Sequence, residues 1–545
     1  MSVADATDPT PAKVSPATVH EVPRLRAGAI GLVAVLFMVL ATAAPITAMT
    51  GNLPIAVGYG NGIHAPGGFL VATIILTIFS IGYVAMARHI TATGAFYGFI
   101  SHGLGQVWGM ASGFLATMAY IVFEASLIGI FTSFAKSTVE SVFNGPTISW
   151  IWYALAAIAV IAAFGYFDIS LSGKILAVFL VTEVLILLAL AFSVLFSGGG
   201  PNGLMTGAIN PVSAFKSAPA VSGGAVGVAG IGLFFAFWSW VGFETTAVYG
   251  EESRNPRKIV PQATMIAVIG LGLFYTFVSW MVISANGSTG AIKVAAGTSP
   301  FDLFFGPTSD KLGSGMLDVY KVLTVTGSFA CALAFHNAAS RYLYAIGREG
   351  ITEGLTKTLG ATHKKHGSPH ISSIIQSVIT VAITLAFFWG QKPTKTVADV
   401  PYTYQFGLMA ILGTMAILIV QSISSLAVIA YFHIQKQHPE TASWWRTFLA
   451  PLLGAAGMTY VVYLLFDNLK FAAGAASGSP VFTATPWIVV GSFVLGLVVA
   501  LAIRASDPER YARIGRVVMA ESHDHDADVP RQREADVSTP APAEG

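Results

Sequence analysis

Three glutamates lie well inside long apolar stretches: Glu124, Glu183 and Glu244. A charge at the centre of a bilayer costs at least about 2.5–3.5 kcal/mol. Such a residue either has a function or keeps its proton, because desolvation favours the neutral carboxyl. The chemistry open to it is proton carriage, or pairing with a cationic group. Two of the stretches are also interrupted. The first reads Ala43-Ala44-Pro45-Ile46-Thr47-Ala48-Met49-Thr50-Gly51-Asn52-Leu53-Pro54, and the other Phe237-Trp238-Ser239-Trp240-Val241-Gly242-Phe243-Glu244-Thr245-Thr246. Proline donates no backbone hydrogen bond, and glycine tolerates non-helical dihedrals. Unwound backbone at membrane depth is allowed only where it lines a cavity or is buried in protein. No H-E-x-x-H or G-x-x-x-x-G-K-[ST] motif occurs, which argues against a zincin and against an ATP-driven pump on this chain. Cys331 is the only cysteine, so no disulfide framework exists.

The elements that must position these residues follow from composition. Of 545 residues, 54% are hydrophobic and 10% charged, against roughly 25% charged in an average soluble protein. Mean hydropathy is +0.69. Of the 56 charged side chains, 21 lie in residues 1–27 and 504–545. The rest could not cover the surface of a soluble enzyme, and the apolar content excludes a disordered chain. The net charge of +2 gives no support to nucleic-acid binding. Twelve apolar stretches lie near 28–57, 67–87, 107–133, 149–166, 173–196, 226–249, 261–283, 316–345, 371–390, 403–432, 449–467 and 484–503. They are too long and too uniformly apolar for barrel strands, so twelve membrane-spanning helices are predicted.

Placing both termini in the cytoplasm puts every arginine on that side, from Arg24 and Arg88 through Arg254 and Arg341 to Arg446 and Arg533. The first span then serves as the targeting element, since no cleavable signal precedes it. The tails, 1–27 and 504–545, are polar and read as disordered. The run Ser522-His523-Asp524-His525-Asp526 is read as solvated tail rather than a metal site, and no metal or cofactor is expected.

The two breaks fall in spans one and six, five spans apart. Five is odd, so a second five-span unit starts on the opposite side of the membrane. Interrupted helices at corresponding places in two inverted halves point to a central transport site. The predicted halves are 28–200 and 201–435, with 436–503 holding spans eleven and twelve.

Three motifs then carry a resemblance. The sixth-span segment Phe237 to Glu244 is followed by Gly250-Glu251-Glu252-Ser253-Arg254-Asn255-Pro256-Arg257-Lys258-Ile259-Val260-Pro261-Gln262-Ala263. Span eight ends in His336-Asn337-Ala338-Ala339-Ser340-Arg341-Tyr342-Leu343-Tyr344-Ala345-Ile346-Gly347-Arg348-Glu349-Gly350, and Thr93-Gly94-Ala95-Phe96-Tyr97 precedes span three. Over residues 25–505 the chain resembles an amino acid–polyamine–organocation permease. It departs in the first break, where Thr47-Ala48-Met49-Thr50-Gly51-Asn52 stands for the family's G-S-G-[IV]-F.

The resemblance implies a LeuT-type fold: an all-α membrane protein with a 5+5 inverted repeat and two peripheral helices. The site would lie between spans 1, 3, 6, 8 and 10. An amino acid is a zwitterion, and each end needs a partner. Free N–H groups after the first break suit its carboxylate, with Thr47, Thr50 and Gly51 as candidates. Carbonyls freed in span six suit its ammonium, with Phe237, Trp238, Ser239 and Gly242 as candidates. The Trp238 ring resembles the family's pocket-covering aromatic. Glu183 looks like the position of a proton-carrying lysine in some relatives, and is read either as the coupling group or as a neutral glutamate bonded to a neighbouring helix. Glu244 resembles a gating glutamate, and a helix N-cap fits it equally. Glu124 either faces the pocket, favouring a cationic substrate, or faces a neighbouring helix. His336 is read as a packed histidine.

The expected function is secondary active transport of amino acids by alternating access, with proton-coupled uptake across the cytoplasmic membrane. The alternative is a polyamine or amine carrier or an exchanger, with sodium as the other coupling ion. Neither reading is enzymatic. The expected partners are a small-molecule substrate and the lipid bilayer, with a monomer or homodimer as the assembly.

Overall fold

The computed structural model describes residues 25, 28–91, 94–167, 169–219, 227–349, 351–394, 397 and 399–515. Among them there are helices and no strand beyond isolated bridges. Apolar stretches become helices because backbone groups shielded from water must bond within their own segment. Helix α1 spans Leu32–Gly60, α2 Gly62–Ala87 and α3 Gln106–Ser141. Helix α4 is Trp150–Tyr166 and α5 is Ile169–Phe196. Helix α6 is Ala229–Trp238, continued past a break by Phe243–Ala247. Then follow α7 (Pro256–Asn286), α8 (Ser314–Arg348), α9 (His370–Gly390), α10 (Pro401–Ile434), α11 (Trp444–Asp467) and α12 (Pro480–Ser506).

Each predicted stretch meets a helix, but only ten of the described helices are long and apolar enough to cross a membrane. The other two fall short for different reasons: α4 has 17 residues, and α6 is interrupted. Five helices precede five more, and each set opens with a broken one. This is the LeuT-type arrangement. Helices α3 and α10 are 78% buried over their apolar windows and α12 only 22%, so α3 and α10 are central and α12 peripheral. The two broken helices touch through glycine. A Cβ on Gly60 of α1 would lie 2.5 Å from the Gly232 Cα of α6. Small residues permit such backbone approach in membrane bundles.

The C-terminal region corrects one expectation. The polar segment from 504 begins in ordered structure: α12 runs to Ser506, and Pro508–Arg513 form a short helix, α13. Asp507 caps it, accepting from the Arg510 N–H at 2.9 Å, with Pro508 at the first helical position. That Asp-Pro pair was the available sequence signal. Ile514 is then fully buried beside Tyr97, Met110, Ala500 and Ile503. The Gly515 N–H donates to the Glu349 carboxyl oxygens at 3.2 and 3.3 Å. Residues 1–24 and 516–545, including the Ser522–Asp526 run, lie outside the described residues.

Burial pushes the Glu349 carboxyl up to about 7 from an ordinary 4.5. Between those values the docked segment holds a proton that an undocked one has lost. Docking is therefore strongest at low pH and weakens as pH rises through the folded value. Tryptic cleavage at Arg510 and Arg513 is expected to accelerate from about pH 6 to about pH 8, after correction with Glu349→Gln, which should show a flat profile. Equal pH profiles in the two proteins would reject the link.

Candidate functional site

The α1 break is set by Ala44. It adopts φ 44° and ψ 75°, in the left-handed region, and Pro45 opens the second half of the helix. Proline suits that place because its missing N–H would be unpaired there anyway. The next free N–H, on Ile46, donates to Glu183 Oε2 of α5 at 3.0 Å. Ahead of the break, Cys331 Sγ donates to the Thr42 carbonyl at 3.2 Å and Tyr275 Oη to the Ala43 carbonyl at 2.9 Å. The backbone groups freed by the break are thus held by α5, α7 and α8. Beyond it, Ala48–Asn52 and Ala56–Gly60 are π-turns, a form frequent at functional sites.

The α6 break centres on Gly242, at φ 116°. An added Cβ there would meet Thr42 of α1 at 2.6 Å. Glu244 holds the returning strand of backbone. Its Oε2 accepts from the Gly242 N–H at 3.0 Å and its Oε1 from Tyr120 Oη of α3 at 2.9 Å. Tyr83 Oη of α2 donates to the Glu244 carbonyl at 2.8 Å. Glu244 therefore ties the α6 break to α2 and α3. Glu244→Gln is expected to lower transport roughly tenfold, the scale of one charge-assisted hydrogen bond, while substrate-induced thermal stabilisation persists. Unchanged transport would reject the gating role.

Between the breaks lies a cavity of about 30 Å³. Thr42, Thr47 and Asn52 of α1 and Trp238, Ser239 and Val241 of α6 border it. Phe123, Phe335 and Phe406 wall it from α3, α8 and α10. Asn52 Nδ2 donates to Ser239 Oγ at 3.0 Å, so a side-chain bond joins the two broken helices.

Of the sequence candidates, Thr47, Trp238 and Ser239 come together at this cavity. The others do not line it. Thr50 is bonded to Tyr320 Oη at 2.8 Å. Gly51 packs on Ile130, and its carbonyl accepts from Tyr402 Oη at 3.0 Å. Phe237 is buried in the core, Gly242 abuts Thr42, and Glu183 and Glu244 are engaged as described. Glu124 faces neighbouring helices. Its Oε2 lies 3.1 Å from His336 Nδ1 and accepts from Gln376 Nε2 at 2.6 Å. His336 Nε2 lies 2.7 Å from Ser373 Oγ. The pocket-facing alternative for Glu124 is thereby corrected, and His336 is packed as expected. Sequence reasoning missed Asn52, Phe123, Phe335 and Phe406 as lining residues. Asn52 alone carried a signal, as an amide inside an apolar span.

Contacts stand on both sides of the cavity. At the end holding Arg341, its guanidinium makes a two-point pair with Glu252, at 2.7 and 2.9 Å, and stacks on Tyr249. Arg348 pairs with Glu251 beside it. The Ile30 N–H donates to the Glu252 carbonyl at 3.1 Å, binding the start of α1 to the loop after α6. Toward the other end, Trp238 lies 4.8 Å from Phe406, which stacks on Tyr402 at 5.4 Å. Phe301 packs edge-on against Tyr402 at 4.9 Å. Ion pairs thus pack one end and stacked aromatic rings the other.

A sequence model of the family described as amino acid permease matches residues 30–500. The chain belongs to the amino acid permease family. No curated protein sequence matches the permease. It is similar to a solved structure of Mhp1, described as a nucleobase-cation-symport-1 family transporter in a closed conformation with bromovinylhydantoin bound. The two are 10% identical, the match covers 90% of the permease and 98% of that chain, and the TM-score is 0.45. Family membership makes the permease a multi-pass membrane transporter with a small-molecule substrate.

Proposed function

We propose that the permease takes up amino acids with a proton across the cytoplasmic membrane by alternating access. The observation that carries this reading is the bonding at the α1 break. Unwound carbonyls at such breaks are what a coupling sodium ion uses. Here those of Thr42 and Ala43 already accept from Cys331 and Tyr275. In the same place stands Glu183, fully buried, bonded to the Ile46 N–H and with its second oxygen unpartnered. A carboxyl with one oxygen bonded to the backbone and the other open can take up and release a proton there.

In this reading the substrate carboxylate meets the second half of α1 near Thr47, and its ammonium meets the α6 break near Ser239, under the Trp238 ring. Thr50, Gly51, Phe237 and Gly242 shape the two breaks without touching substrate. All twelve apolar stretches cross the membrane, with both termini and the Arg341 end in the cytoplasm. The amine-carrier alternative rested on Glu124, whose bonds run to His336 and Gln376 instead.

The test is uptake of a labelled amino acid panel into proteoliposomes with imposed proton or sodium gradients. Accumulation driven by protons alone supports the reading. Accumulation only with sodium, or only of polyamines, overturns it.

A further inference from the structure

The cavity's chemistry narrows the substrate class, given that the substrate is an amino acid at all. Among the described residues, no Asp, Glu, Lys, Arg or His borders it. The three glutamates inside apolar stretches are each bonded to protein partners: Glu124 to His336, Glu183 to Ile46 and Glu244 to Tyr120. A charged substrate side chain would sit there without a counter-charge, and an unpaired buried charge is strongly disfavoured. The walls combine aromatic and aliphatic side chains with uncharged hydroxyl and amide groups. A space of about 30 Å³, enough for one or two waters, must widen for any substrate, and least for one with a short side chain.

Two residues that border this cavity each carry a buried polar atom with no partner among the described residues: Thr47 Oγ1 and Asn52 Oδ1. Both residues are only 3% exposed. The hydrogen bonds fix what Asn52 offers. Ser239 Oγ gives its proton to the Phe235 carbonyl at 2.9 Å, so it has none for Asn52 and instead accepts from Asn52 Nδ2. Asn52 Oδ1 is therefore an open acceptor. A buried acceptor without a donor is unfavourable, and the donor that every amino acid carries is its ammonium group. Asn52 also bridges the two broken helices through Ser239, so a group bound to Oδ1 is linked to α6 through the same side chain.

We infer that the permease selects small neutral amino acids, and that Asn52 Oδ1 accepts a hydrogen bond from their ammonium group. Alanine, serine and threonine fit this description. Lysine, glutamate and putrescine bring a further charge, and tryptophan brings too much volume.

Thermal shift of the purified full-length protein tests both parts. In the wild type, L-alanine, L-serine and L-threonine are expected to raise the midpoint, whereas L-lysine, L-glutamate, putrescine and L-tryptophan leave it unmoved. Ligand stabilisation grows with concentration over Kd, so titration yields apparent affinities. Removing the ammonium (propionate for alanine) should weaken wild-type binding at least about tenfold. In Asn52→Leu, and in the milder Asn52→Ser, alanine should bind at least about tenfold more weakly, and the alanine–propionate difference should shrink. An undiminished difference in a folded variant overturns the role of Asn52. Shifts by lysine, glutamate or tryptophan equal to that of alanine overturn the substrate class using the wild type alone. No shift with any amino acid defeats the amino acid reading itself, a separate result.

Discussion

In Glu183→Gln, uptake driven by an imposed proton gradient is expected to collapse to the level without a gradient. Glutamine has the same shape, and its carbonyl can still accept from the Ile46 N–H, a bond of 3.0 Å in the native chain. The α1 break should therefore survive, and the substrate should still raise the melting temperature. What is lost is a group that can exist with or without a proton. For one proton per substrate, accumulation scales about tenfold per pH unit of gradient. The wild type should show that slope in proteoliposomes, and the variant should show equilibration only. A variant that retains the slope would place the coupling proton elsewhere.

The second large effect is expected at the Arg341–Glu252 pair. Both side chains are almost fully buried, 3% and 2% exposed. Breaking such a pair by removing one partner costs about 3–5 kcal/mol, because the other charge is left buried alone. Arg341→Ala should thus disfavour this packed arrangement and open the cavity toward that end. Cys331 reports it, since it borders the cavity and is the chain's only cysteine. Its modification by a soluble maleimide should accelerate by about 100-fold or more, as a shift of this size allows. Arg341→Met combined with Glu252→Met should react close to the wild-type rate, because an apolar pair often replaces a buried ion pair without loss. Slow labelling in Arg341→Ala would show that the pair does not hold this end shut.

The breaks were legible because Pro45 and Gly242 act locally, through a missing N–H and a permitted dihedral. The twelve helices were legible as long runs, although α4 and α6 show that run length alone does not establish a crossing. The direction of Glu124 was not legible. Helix α3 is apolar almost all round, so no polar face marks which side meets which neighbour. Thr50 and Gly51 looked equivalent to Thr47 in sequence, yet π-turns at Ala48–Asn52 turn Thr50 toward Tyr320. Phe335 and Phe406 reach the cavity through packing between distant segments, which spacing along the chain does not encode. The docked residue Ile514 was hidden by a polar neighbourhood whose composition resembles that of a disordered tail.

Ala44 carries a consequence of its own. A left-handed conformation costs an alanine about 1–2 kcal/mol that a glycine would not incur, and α1 adopts it at its break. Because Pro45 follows, helical dihedrals at Ala44 are disfavoured as well, so this residue is relieved only where its backbone becomes extended. The break in α1 therefore carries a local cost, which the bonds around it, from the Ile46 N–H to Glu183 and from Tyr275 to the Ala43 carbonyl, must offset.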